Sequence, residues 1–165
     1  MVYIIAKLIK KAFKRIDKIK EAKDLEDMWT TLMLTPLDYS KIAINDDVTR
    51  NIMSKIEFKH GGPEYDAKYP EGIPTSMQVH TKTGQVFDSG LVMFPDGHAR
   101  CKDVYLNKVL SYKFNRLSSY ALQTDDMKNF LVGLANIDVM SNEELIDIYD
   151  CNIQFTELGI DDDPK

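Results

Sequence analysis

Ile5, Leu8, Ile9 and Ile16 fall near one helical stripe, with Ala12 and Phe13 beside it, while Lys7, Lys10, Lys11, Lys14 and Lys18 lie mostly off it. That spacing predicts an amphipathic helix as the first element. The apolar run starts at Met1, with no Ser, Thr, Asp or Asn ahead of it to satisfy the first free N–H groups, so the helix is expected to continue from upstream sequence. Asp24 is placed to cap a second, short helix holding Met28, Trp29 and Leu32, which Pro36 closes. Residues 35–47 read as a connection, and Asp46 or Asp47 starts a helical turn through Ile52 and Met53.

The period then changes. Ile56-Glu57-Phe58-Lys59 alternates as a strand does and ends at Gly61-Gly62-Pro63, and residues 64–74, with Pro70, Gly72 and Pro74, predict a shaped loop. Residues 75–82 alternate again, with Met77 and Val79 on one face and Gln78 and His80 on the other. Thr83-Gly84 predicts a tight turn, and residues 85–94 return as the antiparallel partner.

After Pro95-Asp96-Gly97 the 3–4 spacing of Leu106, Val109, Leu110, Phe114, Leu117 and Ala121 predicts a long helix over 103–122. Thr124 is expected to cap the next, with Met127, Phe130, Leu131 and Leu134 facing the core. Ser141 and Glu144 form an S-x-x-E capping box ahead of Leu145, Ile148 and Tyr149. The order predicts an α+β, two-layer domain over 1–155: a small antiparallel sheet packed by helices, with helices at both ends and an acidic tail at 156–165.

Composition narrows the classes. No run of eighteen apolar residues exists, so no transmembrane helix is expected. Lysines break the apolar start from Lys7 onward, unlike a secretory signal. Cys101 and Cys151 alone make neither a disulfide framework nor a metal cluster. A net charge of −5 argues against general nucleic-acid binding. The charge is polarised: residues 1–23 hold eight cations and two acids, a local +6, which leaves −11 for the remainder. A basic first helix could dock on an anionic surface or membrane. A lysine-rich solvent face on a helix buried on its other side explains the same pattern and is preferred.

No Gly-rich phosphate loop, H-E-x-x-H, C-x-x-C or nucleophile elbow is present. His60 and His80 lie in or at the ends of predicted strands without metal-ligand partners, and read as solvated surface imidazoles. His98 differs, because Phe94-Pro95-Asp96-Gly97-His98-Ala99-Arg100 puts it and Arg100 in a strand-to-helix loop ahead of a helix N-terminus. Such a spot favours anions, and a carboxylate-rich substrate would suit it. Equally, both side chains could simply pin the loop to its own main chain. Tyr3 is a second candidate, since a phenol can bond a carboxylate or relay a proton, although a part-buried core tyrosine is the commoner case.

Several segments together resemble the MmgE/PrpD family, whose members include 2-methylcitrate dehydratase, cis-aconitate decarboxylase and an iminodisuccinate epimerase. Met1-Val2-Tyr3-Ile4-Ile5-Ala6 resembles the family's aromatic-Tyr-x-x-Ala helix start. The segment from Lys59 to Thr75, KHGGPEYDAKYPEGIPT, is similar to the dehydratase branch in particular. Phe94 to Arg100 followed by Lys113-Phe114 resembles the family's Gly-His…Lys-Phe signature. The motifs keep their order over nearly the whole chain. The resemblance implies a helical domain carrying most catalytic residues, closed by an α+β lid to which this chain corresponds. It implies proton removal beside a carboxylate of a small di- or tricarboxylate, here dehydration of 2-methylcitrate to 2-methylaconitate in propionate catabolism. It also implies that the missing helical domain is a required partner, that the complete enzyme is a homodimer, and that no iron–sulfur cluster or other cofactor takes part. The compartment would be the mitochondrial matrix in a eukaryote and the cytoplasm in a bacterium. By the same resemblance Tyr3 and His98 would be hydrogen-bond or proton-transfer partners, and Arg100 a carboxylate clamp.

Overall fold

In a computed structural model, residues 1–101 and 106–154 are described. The acidic tail at 156–165 and the start of the predicted 103–122 helix lie outside them.

The first helical signal resolves into α1 (Val2–Lys14) and α2 (Ile16–Glu21), broken at Arg15. The break coincides with a long-range bond: the Arg15 guanidinium donates to the Thr31 carbonyl at 2.8 Å. Asp24 caps α3 (Leu25–Leu32) as expected, its carboxylate accepting from the Asp27 N–H at 2.9 Å. The stretch read as a connection holds a 3-10 turn (Pro36–Tyr39) and a one-turn helix α4 (Lys41–Ile44). Asp46 then caps α5 (Asp47–Met53), accepting from the Thr49 N–H at 2.8 Å. α1 packs chiefly on α5, and the contact buries Ala6 and Thr49 completely.

Two expectations change in the middle of the chain. Residues 56–59 make no strand pairing among the described residues and are not a strand. The predicted loop after it begins as a helix, α6 (Gly62–Lys68). Pro63 suits the first helical turn, Glu64 complements its dipole, and Lys68 meets Glu64 at 2.7 Å one turn on. Tyr69, extended ahead of Pro70, stops it. The antiparallel hairpin is present but short: β1 (Gln78–His80) pairs with β2 (Val86–Asp88), with Val79 opposite Phe87. Gly84 at φ 84° makes the turn possible. An isolated bridge, Thr75 to Val92, continues the pairing, and all six hairpin residues are exposed.

α7 (Leu106–Ser118), α8 (Thr124–Ala135) and α9 (Asn142–Asp147) complete the order. Thr124 is the first residue of α8 rather than its cap. The capping box of α9 has both bonds, Ser141 N–H to Glu144 at 2.8 Å and Glu144 N–H to Ser141 Oγ at 3.2 Å. Phe114 stacks on Phe130, and Phe130 meets Tyr149 edge-on, tying α7, α8 and the turn after α9 together. Trp29 against Tyr112 and Lys108 against Glu26 join α7 to α3. The fold is α+β: among the described residues, helices lie on both sides of one small antiparallel hairpin. Among the described residues Ala6, with no exposure, and Val109, with 7%, are the buried hydrophobic side chains.

Candidate functional site

The three residues singled out by sequence fall into two separate clusters. In the first, α1 presents Tyr3, Lys7 and Lys11 on one side to the 3-10 turn. Tyr3 donates its phenol proton to the Asp38 main-chain carbonyl, and its ring lies 6.2 Å from that of Tyr39. Lys11, with 6% of its side chain exposed, donates to the Met33 carbonyl at 2.7 Å and to Asp38 Oδ2 at 3.1 Å. Lys7 stands 3.6 Å from Asp38 Oδ1, and the Thr35 N–H donates to Oδ2 at 2.8 Å. One carboxylate thus gathers two ammonium groups and a capping N–H.

The electrostatics follow from that geometry. Burial alone would raise the Asp38 carboxyl, but the Thr35 N–H and the two lysines outweigh it, and its pKa lies below the usual carboxylate value. Burial pulls the Lys11 ammonium down, against the pull of Asp38. Burial, followed by Asp38, Tyr39 and Asp46, pushes the Tyr3 phenol up. Tyr3 is therefore protonated at neutral pH, with that proton committed to Asp38.

The second cluster is built from the two loops that flank the hairpin. His98 Nδ1 accepts from the Arg100 N–H at 3.1 Å, and its ring stacks on Phe94 at 5.0 Å. The Arg100 guanidinium sits 5.7 Å over the same Phe94 ring and reaches the Glu71 carbonyl at 3.5 Å. Gly97, at φ 79°, allows the turn. Gly72 closes the other side: a Cβ there would lie 2.9 Å from the Met93 main-chain oxygen. So residues 71–75 and 92–100, distant in sequence, form one loop cluster. His98 and Arg100 do pin their loop, as one sequence reading proposed. Their charged and polar edges remain exposed, which leaves them accessible to an anion.

Among the described residues no hydrogen bond, ion pair or ring contact joins Tyr3 to His98 or Arg100. Sequence reasoning missed the Lys11–Asp38–Thr35 constellation, because no local spacing announces a contact between α1 and a turn 27 residues later. Beside it lies a cleft of about 30 Å³, lined by Lys11, Arg15, Thr30, Thr35, Tyr112 and Arg116 among others. That is water-sized, whereas small-molecule pockets run to roughly 300–1,000 Å³. His60, exposed, accepts from the Gly62 N–H at 3.1 Å and faces Asp66 at 3.4 Å, and His80 lies exposed on β1. Among the described residues no group of three or more His, Cys, Asp or Glu could hold a metal ion, and no helix is long and apolar enough to cross a membrane. In comparisons with known proteins, no family model, no curated protein and no solved structure matches the chain.

Proposed function

We propose that the chain is the C-terminal, lid-like portion of a 2-methylcitrate dehydratase-type hydro-lyase, contributing substrate-binding groups to a site completed by a separate helical domain. The observation that carries this reading is the loop cluster. The segment that resembles the dehydratase branch, 59–75, meets the segment that resembles the family's Gly-His signature, 94–100, through Arg100 on Glu71, and Gly72 closely approaches Met93 just ahead of it. Arg100 supplies a planar cation suited to bidentate carboxylate binding, and Phe94 holds its guanidinium in place. His98, beside it, has one ring nitrogen taken up by the Arg100 N–H and the other for the substrate.

The water-sized cleft beside the first cluster, too small for a tricarboxylate, and the separation of the two clusters support a requirement for the helical domain. Tyr3, its proton held by Asp38, would act in this setting as a wall of the site that can accept a hydrogen bond. A second reading, a non-catalytic binding or assembly module, draws on the same small cleft. The decarboxylase and epimerase branches of the family share the chemistry of proton removal and are alternatives within the first reading. The compartment follows the source, the matrix for a eukaryote and the cytoplasm for a bacterium.

The test is steady-state dehydration of 2-methylcitrate by the chain reconstituted with the helical domain of a 2-methylcitrate dehydratase. Arg100→Met is expected to raise KM at least tenfold with a smaller change in kcat, as loss of a carboxylate clamp requires. Unchanged kinetics in both Arg100→Met and His98→Asn would remove the loop cluster from the site.

A further inference from the structure

Lys11 and Arg15 stand one turn apart at the end of α1, and Tyr112 and Arg116 one turn apart on α7. The two pairs meet, with Thr30 of α3 and Thr35 after it, around the cleft of about 30 Å³. Among the described residues that line it are three cations and no acid. Lys11 is held inside by the Met33 carbonyl at 2.7 Å and by Asp38 at 3.1 Å. Burial pulls its ammonium down, Asp38 pulls it up, and Arg15 and Lys7 push it down again, so like charge is crowded against it. The Arg15 guanidinium is anchored on the Thr31 carbonyl at 2.8 Å, and that of Arg116 lies 5.3 Å over the Tyr120 ring. Both have further partners. Each carries five N–H donors, however, and a carbonyl or a ring face fixes a guanidinium without cancelling its charge.

We infer that this cleft is a binding site for a phosphate group. A planar carboxylate is satisfied by the fork of one guanidinium, whereas two guanidiniums from two helices suit a tetrahedral dianion with more oxygens to share. The cleft has about twice the least volume that holds one water, which seats the oxygens of one phosphate group and excludes a tricarboxylate. The Tyr112 hydroxyl, which gives only a long 3.3 Å bond to the Thr30 carbonyl, can turn to a phosphate oxygen instead. None of the lining residues belongs to the Arg100 loop cluster, and the site does not depend on the lyase reading. Inorganic phosphate and a phosphate monoester present the same group.

Calorimetric titration of the full chain with inorganic phosphate, and with glycerol 3-phosphate, tests the inference. One site per chain is expected, with a dissociation constant of about 1 mM or tighter at low salt, weakening severalfold from 20 mM to 500 mM NaCl. Binding of both probes supports a site that admits the end of an ester, and binding of inorganic phosphate alone supports a site for the free ion. Arg15→Met and Arg116→Met should each raise the constant at least tenfold. Lys82→Met, which removes one exposed charge from the hairpin turn, should leave it unchanged. If a variant fails to fold, the unaltered chain decides: saturating phosphate should slow phenylglyoxal modification of Arg15 and Arg116 at least fivefold and leave that of the exposed Arg50 unchanged. Absence of saturable binding, equal weakening by Lys82→Met, loss of binding in Arg100→Met alone, or no protection of Arg15 and Arg116 overturns the inference.

Discussion

Asp38→Asn removes the charge that holds α1 to the 3-10 turn. Asp38 Oδ2 accepts from Lys11 at 3.1 Å and from the Thr35 N–H at 2.8 Å, while Lys7 lies 3.6 Å from Oδ1. An asparagine still caps Thr35, so the loss is concentrated in the two lysines. Deleting one partner of a buried pair costs about 3–5 kcal/mol. Here both groups keep some solvent and Lys11 keeps the Met33 carbonyl, so a cost of roughly 2 kcal/mol is expected. With a urea slope of roughly 2 kcal/mol/M, the midpoint followed by circular dichroism should fall by about 1 M. Lys11→Met in the same background should recover part of the loss, since no buried ammonium is then left without its counter-ion. A midpoint shift under about 0.3 M, or strictly additive effects in the double variant, would refute the idea that the pair locks α1 in place.

Further outcomes follow from the same structure. The Asp38 and Asp46 carboxyls both titrate below their ordinary values: Asp38 because the Thr35 N–H and Lys11 outweigh its burial, Asp46 chiefly because Lys10 meets it at 2.6 Å. A depressed carboxyl contributes stability that is present above its unfolded pKa, near 4, and is lost as pH falls through the folded value. Urea midpoints should therefore decline below pH 4, and less steeply in Asp46→Asn. Gly133→Ala places a Cβ 2.3 Å from Ile148 Cγ2 and should lower the midpoint, with partial recovery in a double variant carrying Ile148→Ala. Ser141→Ala removes one bond of the α9 capping box and should cost about 1 kcal/mol, read in the same titration. Gly72→Ala pushes on the Met93 carbonyl, so limited proteolysis should cut between 92 and 101 faster than in the unaltered chain.

What the sequence disclosed was local. Asp24 and the Ser141–Glu144 box are read correctly, and Asp46 is one of the two starts read for α5, because a cap and its target lie within four residues. The Thr83-Gly84 turn is legible for the same reason. The break at Arg15 was hidden, since it accompanies a bond to Thr31 in another helix. α6 was hidden as well, because Gly61, Gly62 and Pro70 around it read as loop, and the Glu64–Lys68 pair that supports it was overlooked. At the candidate site, the company of His98 and Arg100 follows from their nearness in sequence. The meeting of their loop with Glu71 and Gly72 does not, nor does the commitment of the Tyr3 proton to Asp38. Several positions of the predicted apolar stripes, Leu110 and Ile16 among them, are exposed, because periodicity shows which side is apolar and not whether anything covers it.

The most direct test of the functional reading is the appearance of enoate absorbance from 2-methylcitrate, followed with the purified chain, with the complementary helical domain, and with the two mixed. Turnover is expected in the mixture and in neither component alone. Turnover by the chain alone would contradict the placement of the main acid and base in the helical domain. A folded chain that gives no turnover in any combination, and does not bind the helical domain, would contradict the lyase reading and leave the assembly module in its place.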